Sequence, residues 1–179
     1  MYNQKLNSLE TIETERLILR PFNLNDIEPS YELNLDPEIT RYTNDGGVKS
    51  YETIKYLIQD VVMGDYEKHG FGRFAVDLKD NNEFIGFTGL KYIPELDEVD
   101  LGYRFKRKYW GMGIATESGI ASLKFGFETL DLKEIIAMAL PGNIGSIRVL
   151  EKLNFHLTEQ FEEENILINK YLLKNPKKG

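Results

Sequence analysis

Residues 14–22 (TERLILRPF) alternate polar and apolar side chains and stop at Pro21, the pattern of a strand with one buried face. The period then lengthens. Ile27, Tyr31 and Leu35 recur at helical spacing behind Asn25-Asp26, which offers an N-cap, and Asp36-Pro37 ends that helix. A second helix is predicted after Ser50, whose hydroxyl is placed to cap it with Thr53 near the third position. Ile54, Leu57, Ile58, Val61 and Val62 form its buried stripe. Three strands follow, at 71–78, 83–92 (EFIGFTGLKY) and 99–105 (VDLGYRF), split by turn signals at Asp80-Asn81-Asn82 and Pro94-Glu95-Leu96-Asp97. Consecutive short strands with tight turns predict an antiparallel meander. Gly86 and Gly89 within the second strand predict a bulge or a close backbone approach.

Beyond residue 105 the pattern changes. Residues 113–129 carry Ile114, Ile120, Ala121, Leu123 and Phe127 on one helical face and Glu117 and Lys124 on another. Residues 131–140 hold the run IIAMAL, apolar enough for a strand covered on both faces. A further helix spans 143–153, with Asn154 suited to a left-handed C-terminal turn, and 155–161 and 166–173 read as a closing hairpin. Strand–helix–strand–helix after a meander predicts an α/β chain with a mixed sheet of about seven strands and helices on both faces. Neither a linker nor a repeat divides it. One domain over 1–179 is expected, with its core at 14–174 and frayed tails at 1–8 and 175–179.

Composition narrows the chemistry. Hydrophobic residues make up 41% and charged residues 28% of 179, as in a soluble globular domain. No apolar run reaches the roughly 18 residues of a membrane span, and no apolar signal core follows Met1, so a cytoplasmic location is expected. Cysteine is absent, which removes disulfides, thiol nucleophiles and thiolate metal sites together. Only His69 and His156 are available for a metal site or a histidine-centred triad, so no metal is expected. The net charge of −7 argues against nucleic acid as a partner and leans weakly toward cationic substrates.

The informative stretch is 99–118, VDLGYRF, then KRK, then YWGMGIATES. A strand feeds a short loop with glycines at 111 and 113, and the loop opens into a helix. Glycines let backbone N–H groups crowd an anion, and a helix N-terminus adds unpaired donors and the positive end of a dipole. Lys106, Arg107 and Lys108 set three positive charges beside it in an acidic chain. A diphosphate fits such a cradle. No Gly-Lys-Ser/Thr follows, so the Walker pattern fails. Thr116 and Asp131 come near enough to a dinucleotide fingerprint to keep that reading open, although the loop follows a meander.

Three separated stretches then match one family in order. The opening TERLILRPF with Asp26 and Asp36-Pro37-Glu38, the pair FIGFTGL and VDLGYRF…YWGMGIATES, and Asn143-x-x-Ser146-x-Arg148-Val149-Leu150-Glu151-Lys152-Leu153-Asn154-Phe155 resemble the GNAT superfamily of N-acetyltransferases. Within it they resemble the branch that acetylates the N-terminal alanine or serine of ribosomal proteins. The resemblance spans about residues 14–155.

That resemblance implies acetyl-CoA as co-substrate, with its pantetheine arm in a V-shaped splay between the fourth and fifth strands. The arm would lie along Gly102, Tyr103, Arg104 and Phe105, with the Arg104 amide polarising the thioester carbonyl. The pyrophosphate would rest on amides of Tyr109, Trp110, Gly111, Met112, Gly113 and Ile114, where Ala115 and Thr116 open the helix. Lys108 stands where the family usually has Gln or Arg, and Trp110 reads as an aromatic plug holding the loop to the sheet. Asn143 would reach the pantetheine, cap its helix, or do both. Ser146 would hydrogen-bond the departing thiolate, directly or through water. Relatives outside the branch use a Tyr four residues later, which is Leu150 here. Asp100 stands where the family's fourth strand often has Glu, with Glu98 on the same face, and is the candidate base or orienter. The reaction implied is direct attack in a ternary complex, without an acyl-enzyme. The acceptor would be a protein N-terminal α-amine, with polyamines and aminoglycosides as rivals. A non-catalytic CoA-binding module and a dinucleotide-dependent oxidoreductase are the readings from other classes. Monomer and homodimer both stay open, the latter through an exposed last strand.

Overall fold

The computed structural model describes residues 9–43 and 47–178. The tail expected at 1–8 lies outside them. The first strand divides in two. Ile12–Glu13 (β1) turns back onto Leu17–Pro21 (β2), because the Thr14 hydroxyl accepts from the Leu17 N–H at 3.1 Å. Asn23, not Asn25 or Asp26, caps the helical turn after β2. Its side chain accepts from the Asn25 N–H at 2.9 Å, while the Asp26 carboxylate accepts from the Asn23 N–H, closing a capping box. Helix α1 (Ile27–Leu35) comes next, then a short α2 (Pro37–Thr40) for which Asp36 is the cap. Ser50 caps α3 (Tyr51–Tyr56) as expected, accepting from the Thr53 N–H, and a π turn at Leu57–Val62 leads into α4 (Met63–His69).

The meander is present as β3 (Arg73–Leu78), β4 (Phe84–Ile93) and β5 (Glu98–Phe105). Then come α5 (Ile114–Lys124), extended by a π turn at Phe125–Thr129, β6 (Glu134–Ala139), α6 (Ile144–Lys152) and the hairpin β7 (His156–Glu163) and β8 (Ile166–Lys174). Together they form one eight-stranded mixed sheet in the order β1-β2-β3-β4-β5-β6-β8-β7. The short β1 is the strand beyond the seven expected. The last strand, β8, lies inside the sheet, so the C-terminal edge is β7 and not the strand foreseen as a pairing edge.

Helices cover both faces. On one, α1, α3 and the π turn after α3 pack Ile27, Leu33, Ile54 and Ile58 onto Ala75 and Phe84. On the other, α5 and α6 bury Ile114, Leu123 and Leu150 against Val76, Ile85, Leu90 and Leu101. The expected bulge falls at Ile85, where the β3–β4 register slips. Gly86 has φ 149°, and a Cβ there would stand 2.1 Å from the Arg104 carbonyl oxygen, so only glycine allows β4 and β5 to pair this closely.

The C-terminal segment is not frayed as far as Lys178. Asn175 is 3% exposed, its side chain donates to the Leu132 carbonyl at 2.9 Å, and its N–H donates to the Lys133 carbonyl.

Candidate functional site

Two antiparallel halves of the sheet meet at a single parallel pairing, Asp100 with Ile136. Past it β5 and β6 diverge, which is the V-shaped splay the resemblance implied. The β4–β5 ladder decides which amides look into that gap. Lys106 donates to the Ile85 carbonyl and pairs run Phe105–Gly86, Arg104–Phe87 and Tyr103–Thr88, so successive residues alternate in direction. The Gly102 and Arg104 amides face β4. Those of Tyr103 and Phe105 face the gap. The expectation that Arg104 offers its amide there is corrected on this ground: its N–H is turned to Phe87, one residue out of phase.

The gap widens into a cleft of about 880 Å³ bounded by β5, the loop after it, the start of α5, β6 and the start of α6. At its upper end, Gly111 and Gly113 adopt left-handed φ of 74° and 78°, and Gly113 is the N-cap of α5 with no side-chain capping bond. The first-turn amides of α5 are thus left to a ligand, with Ala115 and Thr116 along the cleft. Trp110 is tied to the end of β5: its indole N–H donates to the Phe105 carbonyl at 2.9 Å, while half of the residue stays exposed. Glu117, on the next turn, fixes the loop from behind. It takes bonds from Thr14, from the Arg16 amide and from the Arg16 guanidinium, whose other arm donates to the Met112 carbonyl.

Lys108 is not at the cradle. Its ammonium pairs with Glu83 at 2.8 Å, which Lys106 and the Tyr109 hydroxyl also engage. Hydrogen bonds from Lys108 and then Tyr109, opposed by burial and assisted by Lys106, hold the Glu83 carboxyl down at about 2. Neither Lys108 nor Met112 borders the cleft, while the other residues foreseen for the cofactor do.

Asp100 borders it but is 7% exposed, with a carboxylate oxygen 2.6 Å from the Arg73 guanidinium. Burial pushes its carboxyl up, opposed by Arg73 and, more weakly, by Lys91 and the Met138 amide. Glu98 is likewise engaged, 2.6 Å from Lys170. Arg73 is the residue sequence reasoning missed. It donates to the carbonyls of Gly89 and Asp100 and lies over Gly102, where a Cβ would meet its guanidinium at 2.5 Å. Arg104 extends to the same face, donating to Asn34 of α1 at 2.6 Å and stacking over Phe87.

At the mouth of α6 the Asn143 side chain accepts from the Ser146 N–H at 3.1 Å, confirming it as the cap. Ser146 Oγ stands 2.9 Å from the Tyr103 hydroxyl, whose pKa burial pushes up to about 12. A tyrosine therefore reaches this corner from β5, although position 150 is a leucine. Among the described residues no group of three or more His, Cys, Asp or Glu is arranged to hold a metal ion.

A sheet splayed beside a helix N-terminus and a glycine loop defines an acyl-CoA-type transferase scaffold, and comparison with known proteins agrees. Residues 16–156 match the acetyltransferase (GNAT) domain model, and this chain belongs to that family of acetyl-CoA-dependent N-acetyltransferases. It is 34% identical over 149 residues, 82% of this chain and 83% of the relative, to the uncharacterized N-acetyltransferase p20 of Bacillus licheniformis. Among solved structures, an acetyltransferase from Agrobacterium tumefaciens superposes with a TM-score of 0.81 at 25% identity, covering 97% of this chain and 99% of that one. A GNAT-family acetyltransferase from Bacillus anthracis gives 0.77 at 28% identity, covering 93% and 99%. The dinucleotide-dependent and non-catalytic readings fall with this result.

Proposed function

We propose that this chain binds acetyl-CoA along β5 and the loop after it, and transfers the acetyl group to the N-terminal α-amine of a protein. The residues present fit the co-substrate. Tyr103 and Phe105 offer strand amides to the pantetheine, the first turn of α5 offers donors to the pyrophosphate, and Asn143 borders the cleft with its side-chain oxygen engaged by the Ser146 amide, which leaves its amide nitrogen for the arm. Bound there, the thioester supplies an activated acetyl group. The amide of Tyr103 or Phe105 takes the polarising role toward its carbonyl. Positioning of amine against acyl group accounts for most of the acceleration.

The observation that carries the choice of acceptor is that, among the described residues, the carboxylates bordering the cleft, Glu38 and Asp100, are both engaged by arginines, Arg41 and Arg73. A polyamine or aminoglycoside needs open carboxylates as partners, which disfavours those rivals. An α-amine has a pKa near 7.7–8.0, so roughly a tenth is neutral at pH 7 and little base assistance is needed. Asp100, held by Arg73, then orients the site and need not abstract a proton. Release of free thiol from acetyl-CoA tests this across peptides with free and blocked N-termini, spermidine and an aminoglycoside. Free-amine peptides are expected to turn over fastest, and faster turnover of spermidine would refute the acceptor assignment.

A further inference from the structure

Tyr103 and Ser146 come together from elements 43 residues apart. The Tyr103 hydroxyl lies 2.9 Å from Ser146 Oγ and 3.1 Å from the Ser146 carbonyl oxygen. Both residues border the cleft, and the Ser146 amide is already fixed by Asn143. The Tyr103 ring packs against two core clusters, which leaves its hydroxyl little freedom to turn elsewhere. Burial raises its pKa, Ser146 opposes that, and Asp100 and Tyr171 add to it, so the phenol stays protonated near neutrality. Its one hydrogen goes to a Ser146 oxygen. When Oγ accepts it, the serine's own hydrogen is left to donate, and the cleft is the open direction.

We propose that Tyr103 is a positioning residue that aligns the Ser146 hydroxyl to donate a hydrogen bond to the sulfur released during acetyl transfer. This rests on the acetyl-transfer reading above. The amine nitrogen bonds to the acetyl carbon, the carbon–sulfur bond breaks, and its electron pair leaves on sulfur. The proton lost by the new amide nitrogen balances the one the thiol takes up. Tyr103 keeps its own proton, because a thiol near pKa 8.5 is the stronger acid. Donors in series polarise one another, so the bond to sulfur strengthens as negative charge gathers there.

Calorimetry of CoA and acetyl-CoA between about pH 6 and about pH 9 tests this without turnover. A donor aimed at sulfur lowers the bound thiol's pKa by about one unit, so affinity for CoA relative to acetyl-CoA rises about tenfold as pH increases. Tyr103→Phe and Ser146→Ala are each expected to lose that gain. Acetyl-CoA has no titrating thiol and faces the same Arg73, Asp100, Arg148 and Lys152, with Tyr171 acting on Tyr103 alike in both complexes, so the ratio isolates the sulfur. A pH gain in both variants equal to that of the wild type overturns the proposal.

Kinetics give a second readout. Ser146→Ala is expected to lower kcat about 100-fold and Tyr103→Phe about tenfold, with KM for acetyl-CoA unchanged. The double variant should fall within about twofold of Ser146→Ala. Additive losses, or a raised KM with kcat intact in Tyr103→Phe, mark a merely structural tyrosine and overturn the proposal. A pH-dependent CoA affinity in a protein that acetylates no amine would support the donor pair and sink the acetyl-transfer reading instead.

Discussion

Arg73 reaches from β3 across β4 to the Asp100 carboxylate, 15% exposed at one end of the pair and 9% at the other. Removing one partner of a buried pair strands the other's charge. Asp100→Ala is therefore expected to lower stability by about 3–5 kcal/mol in urea unfolding, and Arg73→Met in the same chain should return part of the loss. No recovery in the double variant would show that the pair is not what the cost comes from. Little in the sequence marks Arg73, since one charged residue at a strand's start is ordinary. Arg104 shows the complementary difficulty. The motif points to the stretch 102–105, but which of its amides faces the gap depends on ladder phase, set by the Lys106–Ile85 bond and not by residue type. Lys108 was misplaced because its partner, Glu83, lies 25 residues away and the competing ion pair leaves no periodic trace.

At the scale of elements, most of the fold was readable. Strands and helices with one buried face declare themselves through period 2 or 3.6, and Ser50 and Asn143 were found as caps. What escaped depends on distant partners: β1 needs the Thr14 turn, and Asn175 is tied down by the loop before β6. The loop between β5 and α5 behaves as a unit because Glu83 gathers Lys106, Lys108 and Tyr109. Its carboxyl sits at about 2 against an ordinary 4.5. A lowered folded pKa contributes stability above 4.5 that is lost as pH falls from there toward 2. Glu83→Gln is expected to flatten the acid limb of Tm against pH in that window and to lower Tm at pH 7 by up to about 3 °C, since the group is partly exposed. CoA binding should weaken as well. An unchanged acid limb would show that the cluster does not hold the loop.

At the scale of the molecule, two antiparallel half-sheets share one cross-link, Asp100 with Ile136, and the helices α5 and α6 bridge them on one side. The co-substrate, on this reading, completes a sheet that the chain leaves unfinished. That incompleteness has a signature in isotope exchange. Deep inside the protein, neighbouring β5 amides should swap hydrogen for deuterium on alternating clocks, slow at Gly102 and Arg104 and fast at Tyr103 and Phe105. Adding CoA should silence the fast pair and leave the slow pair as it was. Uniform protection along the strand before any ligand is added would mean that the gap is closed in solution.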